Sequence, residues 1–196
     1  LIDNVLTRSV SNLLALNPAV PTHHVRQVER LSAGLFDDLR HHHGLDARAG
    51  LYLRIASLLY RIGISIDYYN YRKHTYYLLA HSRVNGLTHR EIVICALTAS
   101  FKSDKQLKPL FVAHRDVLSS SDFELISKLG MMLRLAVALD RSETQPVEEV
   151  RAQVNGNELR LSVRCRHPWL IERTELQSVS KDFAKRWGLN IRAVER

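Results

Sequence analysis

Near Pro146 the spacing of apolar residues changes from steps of three and four to strict alternation, which dictates helices before that point and strands after it. From His24 to Arg40, Val25, Val28, Leu31, Leu35, Phe36 and Leu39 form one apolar stripe, with Thr22 as the expected N-cap after Pro21 and Gly44 as the stop. Leu51 to Ile62 is apolar nearly all round, so this helix belongs at the centre of a bundle. Thr88 followed by Glu91 is a capping box that opens a helix through Ile92, Ile94, Ala96 and Leu97. Ser121 to Leu139 is a further long helix, with Phe123, Ile126, Leu129 and Leu133 on its buried side. Beyond Pro146, the runs Val147–Val154 and Leu159–Val163 flank Asn155-Gly156-Asn157, a hairpin signal. In the second run Leu159, Leu161 and Val163 alternate with Arg160, Ser162 and Arg164. A helix from about Ile171 to Trp187 follows, and Leu189 to Val194 returns as a third strand. The expected fold class is α+β: a helical domain over residues 1–145, then a small basic α/β domain of hairpin, helix and strand over 146–196, divided in the polar stretch Arg141–Gln145.

Charge narrows the class of partner. The net charge is +8, with eighteen Lys and Arg against fifteen Asp and Glu in residues 1–150, and ten against five in the remainder. Such a surface attracts polyanions: polyphosphate, nucleic acid or an acidic protein. No apolar run reaches the roughly 20 residues needed to cross a bilayer. Cys95 and Cys165 lie in apolar-rich runs without a CxxC pair, which favours buried free thiols and a cytoplasmic setting. The chain begins at Leu1 rather than Met, as a piece of a longer protein would.

Three blocks carry a family resemblance. The first is His24-Val25-Arg26-Gln27-Val28-Glu29-Arg30-Leu31. The second runs from Leu58-Leu59-Tyr60-Arg61-Ile62-Gly63-Ile64 through Arg72-Lys73-His74-Thr75-Tyr76-Tyr77-Leu78 to Thr88-His89-Arg90-Glu91. The third is Leu133-Arg134-Leu135-Ala136-Val137-Ala138-Leu139-Asp140-Arg141-Ser142. In order and spacing they resemble the C-terminal half of the exopolyphosphatase / guanosine pentaphosphate phosphohydrolase (Ppx/GppA) family, over most of residues 20–145. The basic tail looks like the small last domain of the longer members. The resemblance implies an HD-type helical domain and a homodimer. In the wider HD superfamily, His and Asp side chains hold a divalent metal that activates water against phosphate. Carried onto this chain, His24 and His74 match ligand positions, the His-Asp pair falls on Tyr60-Arg61, a later His on Lys102, and the late Asp on Val137. A guanidinium has no lone pair to offer, so Arg61 repels a metal. No metal or other cofactor is expected in this fragment. Asp140, three residues past Val137, is expected to pair with Arg141 or a neighbouring helix end.

The family's hydrolytic chemistry belongs to actin-like domains that would precede Leu1, working with a divalent metal such as magnesium. This fragment itself is expected to carry no catalytic residue and to hold polyphosphate through Arg61, Arg72, Lys73, Arg90, Lys102, Lys105 and Lys108. Each has a plainer alternative. Arg72-Lys73 can be a solvated helix start, the three lysines a solvated loop, and Arg61 a partner of Asp67 or Asp140. His74 and His89 fit hydrogen-bonded relics. His41-His42-His43 suits a helix C-terminus, and the tyrosines Tyr68, Tyr69, Tyr71, Tyr76 and Tyr77 suit core or dimer contacts better than base stacking. Two other functions compete: a nucleic-acid or acidic-protein binding module on a dead HD scaffold, and a live metal-dependent HD phosphohydrolase.

Overall fold

The computed structural model describes residues 2–196. Its helical part contains α1 (Ile2–Ala15), α2 (Thr22–Asp38), the short α3 (Arg40–His43), α4 (Ala47–Leu59), a 3-10 turn (Ile62–Ser65), α5 (Tyr71–Ala80), α6 (His89–Ala99), α7 (Asp104–Ala113) and α8 (Ser120–Ala138). Then come β1 (Val147–Asn155), β2 (Glu158–Cys165), α9 (Leu170–Trp187) and β3 (Asn190–Glu195). The class is α+β, helices first and a three-stranded sheet with its helix last, as the change of apolar spacing dictates.

Helix ends follow local hydrogen bonding more closely than the apolar stripe. Thr22 is not the cap of α2: Pro21 takes that place without a side-chain bond, and Thr22 is already helical. The expected single helix to Arg40 breaks at Leu39 into α3, which ends on Gly44 in the left-handed conformation, φ 62°. The helix expected from Leu51 begins four residues earlier, because the Asp46 carboxylate accepts from the Ala49 N–H at 2.9 Å. The capping box at the start of α6 forms as expected, with Glu91 accepting from the Thr88 N–H and Thr88 from the Glu91 N–H.

The core sits where α4 meets α1, α2, α6 and α8. Leu53, Ile55, Ala56 and Leu59 of α4 are buried, and every residue of α6 from Glu91 to Ala99 is buried too. A helix apolar on all sides needs neighbours on all sides, and these two have them.

In the sheet, β1 and β2 pair antiparallel through the two-residue loop Gly156-Asn157, with Gly156 at φ 60°. The chain then crosses through α9 and returns β3 parallel to β2, giving the order β1-β2-β3. Val150, Ala152, Leu159, Leu161 and Val163 are buried with Leu176, Val179, Phe183 and Trp187 of α9. Arg160 and Arg164 point to the opposite, solvated face. The sheet is also stitched to the helices: Gln27 donates to the Val147 carbonyl at 2.6 Å, and Asp38 accepts from the Ala152 N–H at 2.8 Å. Arg134 of α8 pairs with Asp182 of α9 at 3.0 Å. Both cysteines are free; burial pushes the Cys95 thiol up, and that of Cys165 up to about 11. No described helix is long and apolar enough to cross a membrane.

One close approach governs the region after α4. A Cβ built on Gly63 would lie 2.1 Å from the Tyr71 carbonyl and 2.5 Å from the Thr75 nitrogen. Backbone cannot move aside as a flexible side chain can. Gly63→Ala is therefore expected to cost about 2–3 kcal/mol, at the upper end of overpacking penalties. Gly34→Ala in α2, where the added methyl meets nothing within 4 Å, is expected to stabilise by about 0.5–1 kcal/mol. Urea unfolding of the two variants checks both signs.

Candidate anion-binding cleft

Tight packing of Gly63 on α5 turns the chain sharply at the end of α4 and brings Tyr60 and Arg61 inward. Thr75 fixes the turn from the other side, accepting from the Gly63 N–H at 3.0 Å and donating to the Tyr60 carbonyl at 2.9 Å. Across from them stand His24 on α2 and Val137 near the end of α8. These side chains line one cleft of 380 Å³, together with Tyr68, Tyr71, Arg72, Arg141 and Glu175.

His24 is buried, and both its ring nitrogens are occupied. Nδ1 lies 2.8 Å from an Asp140 carboxylate oxygen, and Nε2 lies 2.5 Å from the Tyr60 hydroxyl. Burial pushes the Tyr60 phenol well above its ordinary value, so it keeps its proton. The hydroxyl thus donates to Nε2, and Nδ1–H donates to the carboxylate. Asp140 is fully buried and also accepts from the Gln145 backbone N–H at 2.7 Å and from the Gln145 side chain at 3.2 Å. Of the two partners expected for Asp140, Arg141 is not one, since it lies 3.8 Å from Glu175; Asp140 instead holds His24, in the first turn of α2.

Arg61 is buried as well and donates from Nη1 to Glu143 at 2.5 Å. Neither Asp67 nor Asp140 is its partner. Asp67 instead accepts from the N–H groups of Tyr69 and Asn70 and closes its own turn. The rings of Tyr68 and Tyr71 lie 5.7 and 5.4 Å from the Arg61 guanidinium, within cation–π range. Its Nε is buried without a hydrogen-bond partner.

The residues present do not fit a divalent ion. A metal needs a free lone pair on His24, and Asp140 and Tyr60 consume both nitrogens. It also needs an anionic or neutral neighbour where the cation of Arg61 stands. Val137 presents only hydrocarbon. Among the described residues, no three His, Cys, Asp or Glu side chains are grouped to hold a metal.

The other sequence-derived candidates divide. His74 and Lys102 do not line this cleft. Lys102 lies in an adjoining hollow of 540 Å³ with Tyr69, Arg72, Lys73, Tyr76 and Gln106, and Tyr69 and Arg72 belong to both depressions. Lys105 and Lys108 do not line it but are exposed on α7, the helix that lends Gln106, Pro109 and Leu110 to the hollow. Arg90 is elsewhere, gripping Asp122 with two nitrogens and tying α6 to α8. Arg72, Lys73, Lys102, Lys105 and Lys108 have no carboxylate partner among the described residues. His43 is used structurally: Nε2–H donates to the Phe36 carbonyl and Nδ1 accepts from the Leu45 N–H, both at 2.8 Å. His42 stacks on Trp187. Core placement of the tyrosines holds only for the half-buried Tyr71 and Tyr76; Tyr68, Tyr69 and Tyr77 are exposed.

The family model for Ppx/GppA phosphatase, domain III, matches residues 5–181. This chain belongs to that family. The match extends the three blocks on both sides, taking in α1, the hairpin and most of α9. In this domain III, Glu175 in the cleft lining and Glu143, the partner of Arg61, are the residues that the sequence did not single out. Glu143 sits in the polar stretch after α8 that reads as a connector, and nothing in its neighbours signals a partner 82 positions away.

The occupied histidine gives a direct test. Tyr60→Phe leaves His24 Nε2 buried and unpaired, so it is expected to lower unfolding stability by about 1–3 kcal/mol. Tyr77→Phe, at an exposed ring, is expected to stay within about 0.5 kcal/mol. Urea denaturation measures both, and equal behaviour of the two variants would contradict the assignment.

Proposed function

We propose that this domain III is the non-catalytic part of an exopolyphosphatase-like phosphohydrolase and holds polyphosphate on a basic strip. The observation that carries this reading is the set of cations without carboxylate partners along the hollow: Arg72, Lys73 and Lys102, with Lys105 and Lys108 beyond them. Paired cations are already neutralised; unpaired ones repel each other until an anion arrives. A phosphate chain neutralises them with charge-assisted hydrogen bonds and releases counterions, so affinity falls as salt rises. Arg61 and Arg90, each already on a carboxylate, contribute less to the strip.

The catalytic residues and any magnesium belong, on this reading, to the rest of the parent protein. Homodimerisation is part of the same proposal, and Ile66, Tyr68, Tyr69 and Tyr77 supply exposed apolar surface for it. The exposed tyrosines also favour a second reading, single-stranded RNA stacked beside the cations.

The charge-reversing pair Lys73→Glu with Lys102→Glu is expected to weaken binding of long-chain polyphosphate by at least about tenfold at moderate salt. Fluorescence titration with labelled polyphosphate measures it. Unchanged affinity removes the strip from the account. Displacement of polyphosphate by single-stranded RNA at equal phosphate concentration and matched salt replaces it with the RNA reading.

A further inference from the structure

We infer that the cleft around Arg61 is an anion subsite for the terminal phosphate group of a linear oligophosphate, and that Glu143 occupies the Arg61 guanidinium in the free protein as an internal carboxylate stand-in. This deepens the polyphosphate reading and rests on it.

Three observations carry the inference. First, Arg61 is under-used. Its side chain is 8% exposed, it makes one hydrogen bond, to Glu143, and its Nε has no partner at all. A guanidinium offers five N–H donors in a fork that matches phosphate, and Tyr68 and Tyr71 hold this one between their rings. Second, Glu143 is the more exposed member of the pair. Its side chain is 32% exposed, four times the exposure of its partner, and its backbone sits at φ 59°, a region that non-glycine residues occupy at a cost. Glu143 can therefore leave for solvent more readily than the buried Arg61. Third, the wall charges are unbalanced. Arg61, Arg72 and Arg141 line the cleft against one carboxylate, Glu175, which is 3.8 Å from Arg141, while Glu143 holds Arg61 from outside the lining.

With Glu143 swung out, three guanidiniums face one carboxylate, an excess of two positive charges. A terminal phosphate carries nearly two negative charges at neutral pH, while an internal phosphate of a chain carries one. The cleft therefore matches a chain end. Tyr69 and Arg72, shared with the neighbouring hollow, give the rest of the chain its way out toward Lys73 and Lys102.

Linear tripolyphosphate and cyclic trimetaphosphate separate the two kinds of phosphate, because the ring has no ends. Calorimetry on the full 196-residue chain is expected to show preference for the linear compound. Glu143→Gln is expected to bind tripolyphosphate about tenfold tighter and leave trimetaphosphate nearly unchanged. Arg61→Gln, which removes one of the charges that a chain end matches, is expected to abolish the preference without Glu143 being touched, so the test survives if Glu143→Gln does not fold. Equal affinity of the native chain for both compounds, or an equal gain for both in Glu143→Gln, overturns the subsite. Loss of long-chain binding in the Lys73/Lys102 variant alongside either result sinks the subsite and leaves the strip standing. A linear preference that depends on Arg61, in a chain whose long-chain binding ignores Lys73 and Lys102, sinks the strip and keeps the subsite.

Discussion

His24 is held from both sides, by a carboxylate on one ring nitrogen and a phenol on the other, and most of the cleft's geometry follows from that. The three partners come from distant parts of the chain: His24 from α2, Tyr60 from the end of α4, Asp140 from just past α8. Each hydrogen bond is buried, so each group left alone would cost about 1–3 kcal/mol or more, and the arrangement is stable only complete. Completeness has a chemical consequence. An imidazole whose proton is committed to Asp140 and whose lone pair is committed to Tyr60 has nothing left for a ligand.

Beside this closed histidine stands a cation, Arg61. Arg61 is tolerable in a buried position because Glu143 neutralises it and two tyrosine rings flank it. The loop carrying Glu143 also wraps Asp140, through the Gln145 amide and side chain. One short segment thus serves both the histidine and the arginine, and both Glu143 and Gln145 adopt positive φ to do so, 59° and 54°.

Much of the fold was legible in the sequence because it depends on period and punctuation. The apolar stripes, the Thr88–Glu91 capping box, the Gly44 stop and the Gly156 turn are local signals, and the structure honours them. Helix starts were misjudged where a side-chain or proline cap decided them, at Asp46 and Pro21, since the stripe says nothing about which group accepts the first free N–H. The cleft was half legible. His24, Tyr60, Arg61 and Val137 come together as their motif positions imply, whereas His74 and Lys102 do not join them. Ion-pair partners were not legible at all: Glu143 for Arg61 and Asp122 for Arg90 are set by tertiary approach across 82 and 32 positions. The tyrosines divide between core and surface, and the surface position of Tyr68 and Tyr69 follows from the turn closed by Asp67, which the aromatic spacing does not show.

The nitrogen-15 spectrum of the His24 imidazole tests the central claim most directly. The account expects a ring protonated at Nδ1, with Nε2 accepting a hydrogen bond, and resonances that remain sharp as manganese(II) is added. Paramagnetic loss of the His24 signals at low manganese, with the surface histidines unaffected, would contradict it.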